Sequence, residues 1–329
     1  MSIRNNLFFY ATSELSQDAF ICYILSFAMK EYKNNDRELS KCANELLMNM
    51  GIPNEEIVEV EIKKQYKNID ILVEVNKKYN IIIEDKTFTS QRDGQINRYK
   101  GILEKEGKSN IICVYYKIIE QAKPEDNVIN ITRKNLLNIF MKYRTNDKIF
   151  NDYVEYLEWI DNDVNSYKRL DINKWSSHAY KGFFNHLIED NIIDKSRDYG
   201  WGYVPNSSGG FMGLWWHWFK NNNRSTSNAL KSNYFDELYL QIENNIIAIK
   251  LSSNDKGNQK KTIEFRWKLY EYFKSQIPEL KKKRFRSGKY MTVGFIEYDK
   301  SDYKEKIALL EKMIKNIENT DIDFDNIEN

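Results

Sequence analysis

The chain has 329 residues, of which 41% are hydrophobic and 14% aromatic, and this composition excludes an intrinsically disordered protein. Its 50 Lys and Arg residues nearly balance 48 Asp and Glu residues, so the overall charge does not indicate a nucleic-acid-binding protein and any basic surface must be local. Three separated cysteines without CxxC spacing exclude a disulfide framework or a zinc cluster. Together with the lack of a long apolar segment, they predict a cytoplasmic protein without a membrane partner.

The first third of the chain predicts two helices, a meander of three strands, and then a helix and a further strand. Apolar side chains recur at helical spacing in the helices, and polar turns (QYKN and NKK) join the strands of the meander. The predicted helices cover residues 12–32, 37–50 and 95–107. The predicted strands cover residues 58–64, 68–75, 79–86 and 110–117. This α-α-β-β-β-α-β order predicts an α/β unit with a mixed sheet flanked by helices.

Composition shifts near residues 165–175, where we expect a domain boundary. The predicted organisation is an α/β core over residues 1–125, a helical extension or linker over 126–170, and a C-terminal α+β domain over 171–329. The C-terminal domain would position a substrate or contact a protein partner, which includes a second copy of the chain.

Charged residues end the third strand of the meander. Side chains alternate along a strand, so Glu84 and Lys86 share one face and Asp85 takes the other. Asp70 lies in the preceding strand, where the chain pairs back against this one. Two acids and a lysine would therefore converge, and oxygen ligands of this kind suit Mg²⁺ or Mn²⁺. A lysine beside the metal can hold a water or stabilise the charge that grows on a phosphate.

Two helices carry further polar side chains at helical spacing. Gln95 and Tyr99 are four residues apart, so an amide and a phenol would point to the same place. Glu14 and Asp18 share a face of the first helix in the same way, so spacing leaves both acids as candidates for the site.

The order ID(70), E(84)DK(86) and Q(95)xxxY(99) resembles the PD-(D/E)xK nuclease superfamily, in particular its RecB-like branch with a QxxxY helix. The segment ATSELSQDAF (11–20) resembles the opening of a bacterial family of that superfamily. Ile69 replaces the Pro of the superfamily name, and the resemblance covers roughly residues 8–120. It implies a restriction-endonuclease-like α-β-β-β-α-β core, which agrees with the elements predicted from periodicity.

The resemblance also implies roles for individual residues. The implied metal ligands, for Mg²⁺ or Mn²⁺, are Glu14, Asp70, Glu84 and Asp85, the last through its backbone carbonyl. On the first helix the resemblance favours Glu14, with Asp18 as the alternative. The implied catalytic residues are Asp70, Glu84, Lys86, Gln95 and Tyr99. Lys86 would act on the attacking water, and Gln95 and Tyr99 would orient Lys86 or the substrate phosphate.

The implied activity is metal-dependent hydrolysis of phosphodiester bonds in nucleic acid, most plausibly DNA, in a restriction, defence or repair setting. The alternative is an inactive nuclease-fold protein that serves as a nucleic-acid-binding or regulatory module. The complete set of charged residues favours catalysis.

The second half of the chain carries two unusual stretches. FMGLWWHWF (211–219) is apolar at both alternations, which favours a strand buried on both faces over a stacking platform for bases or another aromatic ligand. KKKRFRSGKY (281–290) is strongly basic, as in a solvated loop or a contact to a nucleic-acid backbone. The nucleic-acid-binding candidates in it are Lys281, Lys282, Lys283, Arg284 and Arg286.

Overall fold

The computed structural model describes residues 5–85, 94–121, 127–206, 209–220, 235–253, 260–285 and 288–319. The chain divides into two compact units, Met1–Asp163 and Val164–Asn329. This boundary lies before the predicted start of the C-terminal domain at 171, and most of the predicted extension belongs to the first unit. Within the described residues, none of the helices is both long and apolar enough to cross a lipid bilayer.

The first unit is built on a mixed sheet with the strand order β1-β2-β3-β4-β5. The strands are β1 (Val60–Tyr66), β2 (Ile69–Val75), β3 (Tyr79–Asp85), β4 (Ile111–Lys117) and β5 (Ile129–Thr132). The helices are α1 (Glu14–Ser26), α2 (Arg37–Asn49), α3 (Gln95–Lys105), α4 (Arg133–Phe140) and α5 (Lys148–Val164).

The predicted meander is present as β1, β2 and β3, which pair antiparallel. The first turn is a two-residue hairpin in which Lys67 and Asn68 both have positive φ. The second turn has three residues, 76–78, and positive φ at Asn76 and Lys77. The strands β3 and β4 pair parallel, so the chain must cross over between them, and α3 provides that crossover.

The two faces of the first sheet are covered by different helices. On one face Leu72, Ile82 and Cys113 pack against α3 through residues such as Leu103. On the other face Tyr116 contacts α5, and α1 packs against β1, β2 and β3. Because side chains alternate along β3, Glu84 points to the α3 side with Ile82, and Asp85 points to the α1 side.

The second unit contains an antiparallel sheet with the order β10-β9-β8-β7-β6. Its strands are β6 (Tyr199–Asn206), β7 (Gly209–Lys220), β8 (Glu237–Glu243), β9 (Ile246–Ser252) and β10 (Tyr290–Glu297). Its helices are α6 (Ser177–Glu189), α7 (Lys260–Gln276) and α8 (Tyr303–Asn319). One face of this sheet forms a single core with the three helices. Together the two units confirm the predicted fold class, an α/β core with a C-terminal α+β part.

The strand β7 corrects one expectation. Leu214, Trp216 and Trp218 are buried in the core of the second unit, whereas Trp215 and His217, which alternate with them, are only half-buried. The prediction that β7 is buried on both faces was therefore wrong. The sequence of a uniformly apolar strand does not show that its two faces are unequally buried, because the burial of each face depends on which helices pack there.

Candidate active site

The paired strands β2 and β3 bring two predicted carboxylates to one edge of the sheet. Their register pairs Ile71 with Ile83, and one residue further along it places Asp70 opposite Glu84. Side chains at directly opposite positions have Cβ atoms about 5 Å apart on the same face. The Asp85 backbone N–H donates to Asp70 Oδ2 at 3.3 Å, which ties the end of β3 to the Asp70 carboxylate. Asp70 is half-buried, whereas Glu84 and Asp85 are buried.

The helix α3 contributes an amide and a phenol to this edge. Gln95 is the first residue of α3, and its Nε2 donates to Glu84 Oε1. The same nitrogen lies 2.9 Å from the Tyr99 hydroxyl, and both side chains are buried. The structure thus brings together Asp70, Glu84, Gln95 and Tyr99, and the Gln95 amide links the carboxylate to the phenol. An amide donor to an ionised carboxylate fixes its orientation and belongs to the stronger class of hydrogen bonds.

Of the two acids on α1, the structure buries Asp18 and leaves Glu14 partly exposed. Burial and the negative charge of Asp70, partly offset by Lys64, raise the pKa of Asp18 from 3.8 to about 7. Asp18 Oδ1 is buried and has no hydrogen-bond partner among the described residues. Asp18, the less favoured alternative in the sequence, is therefore the helix acid that lies in electrostatic range of Asp70 inside the unit.

A buried polar network lies on the α1 side of the sheet, and sequence reasoning did not find it. The Tyr153 hydroxyl, from α5, lies 2.7 Å from Gln17 Oε1, next to Asp18, and it also pairs with the Tyr116 hydroxyl of β4. Burial raises the pKa of both phenols, so they stay protonated as hydrogen-bonding groups. The available signal was Gln17 on the apolar side of α1, but its partner is 136 residues away in the chain.

Two predicted residues, Lys86 and Arg286, lie outside the described residues. The remaining residues of the basic run have different environments in the second unit. Lys281 pairs with Glu297 at 2.8 Å, and Lys283 lies 3.5 Å from Glu243. Lys282 places its ammonium 4.2 Å from the centre of the Trp267 ring, a cation–π contact, and within the described part of the chain it has no acidic partner.

The donor set at the strand edge fits a small divalent cation. Within the described residues, no group of three or more His, Cys, Asp and Glu side chains is arranged to hold a metal ion. Mg²⁺ does not require such a group, because it keeps several waters and takes one or two carboxylates. The carboxylates of Asp70 and Glu84, with the buried Asp18 oxygen near Asp70, match that requirement.

The fold and this edge together are those of a nuclease core, and comparison with protein families agrees. A family model described as the PD-(D/E)XK nuclease superfamily matches residues 13–186, more than half of the chain, and the chain therefore belongs to this superfamily. Comparisons with curated proteins and with solved structures gave no match.

The family match confirms the superfamily that the sequence motifs predicted. It also runs beyond the resemblance seen at residues 8–120, because it includes α4, α5 and most of α6. The motifs quoted from the sequence end at Tyr99, so they carried no information on these helices. Membership of the RecB-like branch stays a prediction.

Proposed function

We propose that the protein is a metal-dependent nuclease that hydrolyses phosphodiester bonds of DNA, with Mg²⁺ or Mn²⁺ as its cofactor. The observation that carries this proposal is the position of Asp70 opposite Glu84, whose carboxylate accepts from Gln95, in a chain of the PD-(D/E)XK nuclease superfamily. The motifs resemble the RecB-like branch, which favours DNA as substrate and a restriction, defence or repair role.

The residues that would hold the metal are Asp70 and Glu84 through their carboxylates and Asp85 through its backbone carbonyl. Asp18 would assist from α1, in the place that the sequence assigned to Glu14. When bound, the cation supplies positive charge to the phosphate and lowers the pKa of a coordinated water. In the folded chain itself, Gln95 holds Glu84 in one orientation, and the Asp85 N–H does the same for Asp70.

Lys86 completes the proposed site. It follows Glu84 by two residues in the sequence, which is the spacing of the superfamily motif. Its ammonium would orient the attacking water or stabilise the negative charge on the phosphate, and Gln95 and Tyr99 would orient Lys86 or that phosphate. Losing one such electrostatic stabiliser costs about a hundredfold in rate or more.

The direct test incubates the purified full chain with Mg²⁺, Mn²⁺ or EDTA and four substrates: linear duplex DNA, supercoiled circular DNA, single-stranded DNA and RNA. We expect DNA cleavage that requires the metal, and nicking of the circle would identify an endonuclease. Cleavage of RNA alone would contradict DNA as the substrate. Failure to cut any substrate in either metal would contradict the proposed function.

A further inference from the structure

The face of the second sheet that lies away from its helices carries aromatic and amide side chains side by side. The register of β7 and β8 pairs Trp215 with Gln241 and His217 with Tyr239, so all four share this face. The His217 and Tyr239 rings lie 5.0 Å apart. We call these four residues the aromatic–amide face.

Glycines make room for the indole on this face. Trp215 pairs with Gly200 of β6, and Gly202 is the next residue on the same side of that strand. A Cβ on Gly200 would approach Trp215 Nε1 to 3.1 Å, and one on Gly202 would lie 3.7 Å from Trp215 Cη2. One edge of the indole therefore runs along two residues without side chains. A larger residue at position 200 would displace the ring, so Gly200 allows the indole to lie close against the backbone of β6.

The Gln241 side chain lies over a third glycine. A Cβ on Gly213 would come within 3.4 Å of Gln241 Nε2. Gln241 is 5% exposed, and its amide, which makes no hydrogen bond to the described residues, still reaches solvent. An amide that bonds only to water can exchange that water for a ligand group at little net cost. This amide is therefore a polar group that a ligand can satisfy.

The charges on this face favour a neutral ligand part over a phosphate. Its half-buried cation, Lys250, lies 2.9 Å from Glu243 and 3.1 Å from Thr292 Oγ1. A second lysine, Lys283, lies 3.5 Å from the other oxygen of Glu243. Glu237 lies on the same face of β8 and adds a second carboxylate, so two acids balance the two lysines and the face offers aromatic rings and an amide without an excess of positive charge.

From these observations we propose that the aromatic–amide face binds a nucleobase. The Trp215 ring would stack on the base, and the Gln241 amide would pair with a donor and an acceptor on the base edge, as glutamine does with adenine. A free nucleotide presents the same base as a nucleic-acid strand does. The inference therefore rests on the proposed function only where it names a strand as the source of the base.

The test measures binding without metal, so that cleavage cannot interfere. In EDTA, fluorescence anisotropy compares a labelled single-stranded oligonucleotide with an abasic oligonucleotide of the same length and phosphate number. Wild-type protein should bind the base-containing strand roughly tenfold more tightly or better, the scale of one stacked base. Trp215→Ala should remove this preference and leave affinity for the abasic strand unchanged. Equal affinity of the wild-type protein for the two strands would overturn the proposal.

Two further variants make the test specific. Trp267→Ala changes another tryptophan of the second unit, 39% exposed on α7, and should keep the preference for bases. If Trp267→Ala loses the preference while Trp215→Ala keeps it, the proposal is overturned. Gln241→Leu keeps the side-chain volume and removes the amide. Measured with single-stranded oligonucleotides of A, C, G or T alone, it should change the order of their affinities without changing the affinity for the abasic strand. It also carries the test if Trp215→Ala fails to fold, and an unaltered ranking would then count against the site.

The outcomes separate this inference from the proposed function. Base-dependent binding that requires Trp215, in a protein that cleaves nothing, would support the nucleobase site and refute the nuclease proposal. Cleavage by a protein whose binding ignores bases would do the reverse. Competition with free nucleoside monophosphates then identifies the source of the base: displacement of the oligonucleotide supports a site for free nucleotides as well, and failure to displace it supports a base within a strand.

Discussion

Asp70 is the predicted ligand whose role a single substitution isolates best. It is half-buried, and its Oδ2 accepts from the Asp85 backbone N–H at 3.3 Å. Asp70→Ala removes one of two facing carboxylates, and we expect it to abolish Mn²⁺ binding measured by calorimetry. A metal with one or two protein carboxylates cannot keep its affinity after losing one of them.

Glu74 provides the matched control for Asp70. It lies four residues further along β2 and pairs with Lys108, away from the strand edge. Glu74→Gln should therefore bind Mn²⁺ as the wild-type protein does. Unchanged Mn²⁺ affinity in Asp70→Ala would place the ligands elsewhere.

Asp18 makes the stability of the metal-free protein depend on pH. Burial and the charge of Asp70 raise its folded-state pKa to about 7 from 3.8. Between these two values the folded state holds a proton that the unfolded state has released, so this group lowers the free energy of unfolding as pH rises from about 4 to 7. Lys64 and Glu14 face the same carboxylate with opposite effects, and both are included in this shift.

Asp18→Asn removes that titration. The variant should be more stable than the wild-type protein at pH 8, by up to about 4 kcal/mol for a shift of this size, and the gain should vanish near pH 4. Denaturant unfolding in EDTA at several pH values measures it. A stability difference that is the same at pH 4 and pH 8 would show that Asp18 does not titrate in this range.

At the scale of elements, the start of α3 places Gln95 against Glu84. The residue before it, Gly94, has a φ of +72°, and a Cβ there would meet nothing within 4 Å. Gly94→Ala therefore adds backbone strain without a clash, and we expect a loss of about 1 kcal/mol in the free energy of unfolding.

At Gly101 in the same helix, replacement by alanine should raise the stability of the protein and not lower it. Gly101 lies inside α3, and a Cβ there also meets nothing within 4 Å. Gly101→Ala should stabilise the protein by about 0.5–1 kcal/mol, because alanine favours the helix. Urea unfolding of both variants tests the pair, and a loss of stability in both would contradict this description of α3.

Local pattern predicted most elements of the first unit because their signals are strong. Short polar turns separate β1, β2 and β3, and the alternation of β3 places Glu84 toward α3. The convergence of Asp70, Glu84, Gln95 and Tyr99 follows from that register and from helical spacing. The end of α1 was missed: the apolar pattern continues past Ser26, where the Ser26 hydroxyl donates to the Tyr23 carbonyl and the helix stops.

Features that depend on packing between distant segments could not be predicted. Gln17 and Asp18 are buried because α5 brings Tyr153 against α1. Glu14 and Asp18 share a face of α1, so spacing alone could not decide which acid turns inward. The same limit applies to Trp215, whose environment depends on two glycines of β6.

Over the whole molecule, cations and anions nearly cancel, so nucleic-acid binding would depend on local basic residues. In the basic run, Lys281 and Lys283 lie beside acids, whereas Lys282 contacts Trp267 and Tyr270. Arg284 has no acidic partner among the described residues. These two uncompensated cations are the better candidates for phosphate contacts.

Replacing Lys282 and Arg284 with Gln should weaken DNA binding and lower the dependence of log K on log salt by about two, one for each lost phosphate contact. Replacing Lys281 and Lys283 with Gln changes the net charge equally and should alter the slope less. Filter binding in EDTA at several salt concentrations measures both. If both double variants keep the wild-type salt dependence, this run is a solvated loop without DNA contact.

The central claim is that the edge formed by β2 and β3 is the centre of a metal-dependent nuclease. Single-turnover cleavage of DNA by the wild-type protein and by Glu84→Gln tests it most directly, because Gln keeps the volume and an acceptor for Gln95 while it removes the charge. We predict cleavage that requires Mg²⁺ or Mn²⁺ and that falls at least about a hundredfold in Glu84→Gln at an unchanged melting temperature. Cleavage by Glu84→Gln at the wild-type rate, or wild-type cleavage that persists in EDTA, would contradict the claim.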